Sequence, residues 1–389
     1  MADAPVLTPA GSPSRGWGSL LRLAAKTVLL VLVLNLAGVP LNPVATLGRW
    51  SVYNSVFPGR LRFPYADDSA RSYSVSVMDL EALFHSHDVA GPGRKAGELR
   101  VLVIGDSSVW GFRLGPRETL AAHLDRLGLE SNGRPLSFYN LGYPTMSLAK
   151  DLLLLEGSLE YRPDLIVWLV TLESFPSEVQ SASPLVSVNR GMTATVLRGA
   201  GIDPSRYLPP GAGTRWWADT IVGRRRDLAD WFRLQLFGVM WAASGIDYDA
   251  EATYPPRADD LDLDPHFHGY GPGEVDESDL AWDVLGAGIR AAGPTPVLIV
   301  NEPMFVSRGA NSDARYNSFY PRWVYDAYRM WLRARCQASS WTCLDLWDAL
   351  PADVFTDSAV HYNPAGAETL ARRLADSMTA EAAGLDPAP

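Results

Sequence analysis

The 389-residue chain has only two cysteines, no excess of positive charge and no internal repeat, and each shortage removes a class of protein. Cys336 and Cys343 have no histidine close by in the sequence, so they do not make a zinc site. They flank an expected helix end and strand start, and are either a disulfide in an oxidising compartment or two separate buried thiols. A formal charge of -10 leaves no basic surplus to neutralise phosphates, which argues against a nucleic-acid partner and suits a neutral or cationic ligand. Glycine and proline, 33 and 29 residues, stay below the level of a disordered chain. The hydrophobic share, 47%, is enough for a core. Tryptophan is abundant at 13 residues; such faces stack on sugars, but most are expected as large core side chains.

Charge is also missing from one long stretch. Arg15, Arg22 and Lys26 precede TVLLVLVLNLAGVPLNPVATLG, residues 27–48, which carry none. Val28–Leu41 is short for a bilayer, but with Leu20–Ala25 it makes a helix long enough to span one, Arg22 and Lys26 snorkelling at the cytoplasmic end. A buried helix, an uncleaved anchor over 20–45 and a cleaved signal peptide are the readings; no convincing A-x-A site follows, and the anchor and the signal peptide share one consequence. Both place the rest of the chain outside the cytoplasm, because the positive flank stays inside. Residues 1–19 and 381–389 are expected as disordered tails. Residues 46–96, including NSVFPGRLRFPY at 54–65, are expected as an extended lead-in to a domain at 97–380.

Within that domain, short apolar runs bounded by turn residues predict strands at Leu99–Ile104, Leu136–Asn140, Leu165–Thr171, Pro296–Asn301 and Thr342–Leu346. Helical patterns occupy Arg117–Leu127, Ser147–Glu160, Asp276–Ala292, Pro321–Ala338 and Pro364–Ala380, with Pro321 and Pro364 suited to a first turn. Strands alternating with helices imply a parallel sheet covered on both faces. An insertion at about 175–275 interrupts the alternation. It contains WWADTIVGRRRDLADWFRLQLFGVMWAASG, 215–244, which reads as a helix packed on the core or as a lid or membrane-surface helix. In ADDLDLDPHFH, 258–268, His266 and His268 follow no ligand spacing, so a solvated loop and no metal is expected.

Ligands in an open parallel sheet sit beyond the carboxyl ends of the strands. Those ends read Gly105-Asp106-Ser107, Asn140-Leu141-Gly142, Thr171-Leu172-Glu173-Ser174 and Asn301-Glu302-Pro303. Far downstream, FTDSAVHYNPAGAETLA at 355–371 places Asp357 and His361 one turn apart before a final helix. A nucleophilic serine needs a base for its proton, and the base needs an acid to hold its tautomer. Ser107, His361 and Asp357 are the residue types for that chemistry. Asn301 and Glu302 are candidate ligand contacts, Asn301 as an amide donor or a loop cap.

These residues resemble the SGNH/GDSL hydrolases. GDSS at 105–108 is similar to the family's first block and DSAVHYNPAG at 357–366 to its last. The resemblance covers about residues 97–175 and 295–380. FPGRLRFPY, NEPMF and YPRWVYDAY resemble a membrane-anchored subgroup associated with surface-polysaccharide acylation. It implies a three-layer α/β/α sandwich with a flavodoxin-like parallel sheet, ester hydrolysis or acyl transfer, and no metal or organic cofactor. Three positions depart from the family. Thr145, with Gly142 nearby, stands where a glycine N–H helps bind the oxyanion. Glu173 stands where the family has an oxyanion asparagine, and an ionised carboxylate there repels developing negative charge; a lost donor costs about 10²–10³ in rate. Asp357 precedes His361 by four residues where the family has three.

The expectation is a membrane-anchored, single-pass, extracytoplasmic serine esterase or O-acyltransferase acting on a glycan. Ser107 is the expected nucleophile, His361 the base and Asp357 its orienting acid; Gly142, Thr145, Glu173, Asn301 and Glu302 are expected around the oxyanion and substrate. The alternative is a weakened SGNH-fold module that binds glycan or accompanies a membrane-bound acyltransferase. A lipase with a lid at 215–244 is a third reading.

Overall fold

The computed structural model describes residues 17–41, 47, 52, 56, 59–65, 80–91, 97–209, 220–244, 250, 253–258 and 263–382. The expected tails at 1–16 and 383–389, and residues 259–262 of the acidic stretch, lie outside them; residues 17–19 and 381–382, expected in the tails, are helical.

The sheet has the order β2-β3-β1-β4-β5-β6, from β1 (Leu99–Ile104), β2 (Glu130–Ser131), β3 (Arg134–Asn140), β4 (Leu165–Val170), β5 (Val297–Asn301) and β6 (Thr342–Asp345). Strands β3, β1, β4, β5 and β6 are mutually parallel. Strand β2 is antiparallel to β3 across Asn132-Gly133, both at positive φ, the turn such a dipeptide favours. Without that hairpin the order is that of a flavodoxin-like sheet. Strands β1 and β4 are buried at every position, as expected for a parallel sheet covered on both faces.

Side chains alternate between two cores. Leu102, Ile104, Ile166, Trp168 and Ile299 face one; Val101, Val103, Val167, Leu169 and Val300 face the other. The helices in chain order are α1 (Trp17–Leu41), α2 (Leu80–His85), α3 (Ser107–Trp110), α4 (Leu120–Arg126), α5 (Leu148–Ser158), α6 (Pro184–Val188), α7 (Arg190–Gly199), α8 (Arg225–Ser244), α9 (Trp282–Ala291), α10 (Arg322–Ser339) and α11 (Pro364–Ala382). Buried residues of α2, α5, α9 and α10 fill the first core, and those of α4 and α11 the second. The architecture is therefore a three-layer α/β/α sandwich. Helices α6 and α7, from the insertion, pack on α5 through Leu185, Val186 and Leu197. A disulfide between Cys336 and Cys343 ties the end of α10 to β6.

The lead-in is more than a spacer. Phe63, Leu80, Leu83, Phe84 and Val89 belong to the first core. The buried Arg62 guanidinium stacks 3.8 Å over the Trp110 ring and donates to the carbonyls of Gly111 (2.7 Å) and Leu114 (3.0 Å), just past α3. The stretch expected as extended linker thus holds one end of α3.

At the other side of α3 stands Gly142. A Cβ there would lie 2.3 Å from the Trp110 backbone N and 2.8 Å from the Val109 carbonyl carbon. Backbone cannot yield as a flexible side chain can. Gly142→Ala is expected to destabilise the protein by at least about 2 kcal/mol, as an overpacked core does. Gly191→Ala, which meets nothing within 4 Å, is expected to stay within about 1 kcal/mol of the parent. Urea denaturation of the detergent-solubilised protein checks both.

Candidate active site

Strand β1 runs buried to Ile104 and stops at Gly105-Asp106. The Asp106 side chain then caps α3, accepting from the Ser108 N–H at 2.7 Å, which makes Ser107 the first helical residue. Four residues later Gly111, at φ 83, ends the helix in a left-handed cap that suits glycine. Ser107 is thereby presented at the carboxyl edge of the sheet.

The loop before α11 brings the other two residues to the same place. His361 Nε2 lies 2.8 Å from Ser107 Oγ. Its Nδ1 lies 3.2 Å and 3.3 Å from the Asp357 carboxylate oxygens. Phe112 stacks on the His361 ring at 4.8 Å. The Thr356 hydroxyl donates to Asp357 at 3.0 Å, and Arg113 Nε is 3.6 Å from it. Burial alone would raise the Asp357 carboxyl; the hydrogen bond and charge of His361, with Thr356 and Arg113, outweigh it and hold the group at about 2. A depressed carboxyl contributes stability above its ordinary 3.8 and loses it as pH falls through about 2, so Asp357 is ionised from mildly acid pH upward. Beside it a cavity of about 380 Å³ is lined by Arg113, Tyr254, Pro256, Arg257, Thr356 and Asp357. Arg257 donates to the Asp357 carbonyl at 2.7 Å and so joins the insertion to the loop.

The expected oxyanion and ligand residues separate. The Gly142 N–H donates to Asn140 Oδ1 at 3.0 Å, and the residue is buried against α3. It is a packing residue, which corrects the expectation that its N–H faces a ligand. Thr145 is half-exposed at φ 82, a costly conformation for a β-branched residue. Among the described residues neither its N–H nor that of Ser107 has a hydrogen-bond partner.

Asn301 and Glu302 are also corrected, because both are buried away from any ligand surface. Asn301 donates to Asp345 at 2.8 Å and accepts from Tyr325 and Tyr328, facing the α10 layer. Glu302 accepts from the Ser108 hydroxyl at 2.5 Å and lies beside Asp106. Burial first, and then the Asp106 charge, push its carboxyl well above the ordinary range. A neutral Glu302 can donate to Asp106, so this acid braces the turn beneath Ser107. Buried Lys150 braces it from the other side, donating at 2.7 Å to both the Gly105 and Tyr143 carbonyls.

Glu173 follows β4, next to β1 in the sheet, but its carboxylate is engaged by His268 Nε2 at 2.8 Å. His268 Nδ1 is 3.7 Å from Glu178. His268 was expected in a solvated loop; it is instead the partner of the acid at the family's amide position. Sequence reasoning missed it, and also Phe112, Arg113, Arg257 and Lys150. Phe112, five residues after Ser107, was open to inspection by proximity alone. Arg113 is as near to Ser107 in sequence, but the His268 and Arg257 contacts join segments far apart in the chain, for which no local signal exists.

No family model matches the chain, and no curated protein does. Solved structures do. The chain is similar to a carbohydrate acetylesterase family member from Sinorhizobium meliloti, at 13% identity and a TM-score of 0.33, over 74% of this chain and 100% of the other. It is similar to an aryl esterase of M. smegmatis at 11% identity and a TM-score of 0.33, over 72% and 99%. A family two carbohydrate esterase from Clostridium thermocellum aligns at 10% identity and a TM-score of 0.31, over 74% and 65%.

The Glu173 contact raises the His268 pKa, chiefly through the hydrogen bond and against partial burial. A raised histidine stabilises the fold fully below its ordinary 6.5, and loses that contribution as pH rises through the shifted value. Stability is therefore expected to decline from pH 5.5 toward 8.5 by an increment that His268→Gln abolishes. Denaturation of parent and variant at the two pH values measures it.

Proposed function

We propose that the protein is a serine ester hydrolase or O-acyltransferase of the SGNH type, anchored in a membrane with its domain outside the cytoplasm and acting on acyl esters of a glycan. The observation that carries this reading is the chain of contacts from Asp357 through His361 to Ser107 Oγ. In it Ser107 Oγ attacks the ester carbonyl while His361 Nε2 takes the hydroxyl proton. His361 then gives that proton to the departing alcohol, leaving an acyl-Ser107. Water, or a sugar hydroxyl in a transferase, attacks the acyl carbon next, its proton passing to His361 and on to Ser107 Oγ. Asp357 holds the tautomer and stabilises the transient imidazolium. The N–H groups of Ser107 and Thr145 are the donors offered to the tetrahedral oxyanion. The cavity beside Asp357 is of a size and polarity that suit a small ligand. The glycan is supported by the sequence resemblance alone.

The compartment rests on two observations. Residues Trp17–Pro40 form a 24-residue apolar helix, about 36 Å long against a bilayer core of about 30 Å; a signal sequence meets the same test. The Cys336–Cys343 disulfide suits an oxidising space. In this reading 20–45 anchor the chain and 97–380, with the core residues of the lead-in, form the domain.

A second reading, a non-hydrolytic glycan-binding or accessory module, is favoured by Glu173, an acid where an amide donor is expected. The test is p-nitrophenyl acetate turnover with acyl-enzyme followed by intact mass. The parent is expected to turn over and gain one acetyl group. Ser107→Ala is expected to lose at least about 10⁴ in kcat and the adduct with it. A folded parent with neither turnover nor adduct overturns the hydrolase reading and leaves the accessory module. Recovery of activity in Glu173→Asn then identifies the missing amide donor as the cause.

A further inference from the structure

Helix α8 exposes an apolar face that the described residues do not cover. Phe232, Leu236, Phe237 and Met240 are 58%, 55%, 41% and 57% exposed. Their spacing puts them on one side, with Ala229 and Ala243, both exposed. Trp231 and Gly238, on the opposite side, and Gln235 and Val239, on the flank beside Phe232, are half-buried or buried. Ile221 and Val222, just before α8, are exposed too. A contiguous exposed apolar surface of this kind marks an interaction site.

What covers it is indicated by its neighbours. The Asn35 side chain, buried near the end of α1, accepts from the Val222 N–H at 2.8 Å, and Gly38 packs against Ile221. Beyond α1 the Trp231 indole donates to the Leu47 carbonyl at 2.7 Å, and Val52 N–H donates to Gln235 at 2.8 Å. Helix α8 therefore starts where the apolar helix ends and runs beside the chain that leaves it. Apart from Asn35, Ala37 and Gly38, residues Trp17–Pro40 of α1 are themselves exposed. The two exposed surfaces meet at one end. Residues 220–244 hold Arg224, Arg225, Arg226 and Arg233 against Asp227 and Asp230, a cationic segment in a chain of formal charge -10. Arg225 and Arg226 are exposed.

We propose that α8 lies in the headgroup region of the bilayer that α1 spans, its apolar face in the lipid and its arginines on anionic headgroups. Arg225 and Arg233 fall on the apolar side itself, where long side chains can snorkel to the headgroups while the apolar residues enter the lipid. The proposal rests on the reading of α1 as a membrane span. It has a consequence for the site. Ala250, six residues after α8, pairs with Arg113, which reaches Asp357. Six residues span at most about 20 Å, so the rim of the site is held close to the lipid surface, where an ester carried by a membrane-bound molecule is within reach.

The test uses the full chain in vesicles of phosphatidylcholine and phosphatidylglycerol. Both native cysteines are in the disulfide, so one introduced cysteine carries a spin label. Collision with oxygen, which partitions into lipid, is compared with collision with a water-soluble nickel complex. The labelled positions are Leu236→Cys and Met240→Cys on α8, Val31→Cys on α1, and Met330→Cys, 65% exposed on α10, as the water reference. Labels on α8 are expected to show an oxygen-to-nickel ratio several-fold above position 330 and a shallower depth than position 31. A water-like ratio at 236 and 240, with position 31 deep in lipid, overturns the proposal and leaves the span intact. Shielding of 236 and 240 from both reagents overturns it in favour of a protein surface. A water-like ratio at position 31 overturns the span, and this proposal with it.

Discussion

The close approach between α3 and the chain leaving β3 is the constraint on which the site depends. A four-residue helix has almost no stability of its own. This one persists because its ends are held from outside. The Asp106 carboxylate caps the start, the Arg62 guanidinium takes the carbonyls just past the end, and Asn140 donates to the Val109 carbonyl at 2.8 Å. Gly142 leaves the space in which the two backbones meet. Ser107 Oγ is therefore placed by a buried framework, and His361, stacked on Phe112, meets it from the loop before α11.

That framework is unusually polar. Asp106, Glu302, Lys150 and Asp151 are all buried in or against the turn that carries Ser107. Buried ions cost free energy unless they are paired and hydrogen-bonded. Lys150 meets Asp151 at 2.8 Å and two backbone carbonyls, and Asp151 also accepts from the Trp168 indole. Burial and the Asp106 charge raise the Glu302 carboxyl, which favours its neutral form and lessens the charge gathered there. The same economy of charge operates at the rim, where His268 answers Glu173 and Arg113 answers Asp357. The insertion supplies His268 and Arg257, so a segment outside the sandwich pattern contributes to the neighbourhood of the candidate site.

Much of this organisation was legible from the residues alone. Continuous apolar runs such as Val101–Ile104 and Leu165–Val170 define central parallel strands because both faces are buried and no other short element tolerates such composition. Strand ends locate the site edge, and a serine at one with an Asp-His pair before a final helix selects Ser107, Asp357 and His361 as a group. What sequence determined is thus local pattern, the order of elements, and the residue types offered to each other. The tertiary structure decided which offers were taken. It turned Asn301 toward the tyrosines of α10, since alternation along β5 gives neighbouring residues opposite faces. It buried Glu302 under the turn, spent the Gly142 N–H on Asn140, drew Arg62 from the lead-in onto α3, and brought His268 to Glu173. Each of these contacts joins chain segments through packing, and packing depends on distances that no local sequence pattern encodes.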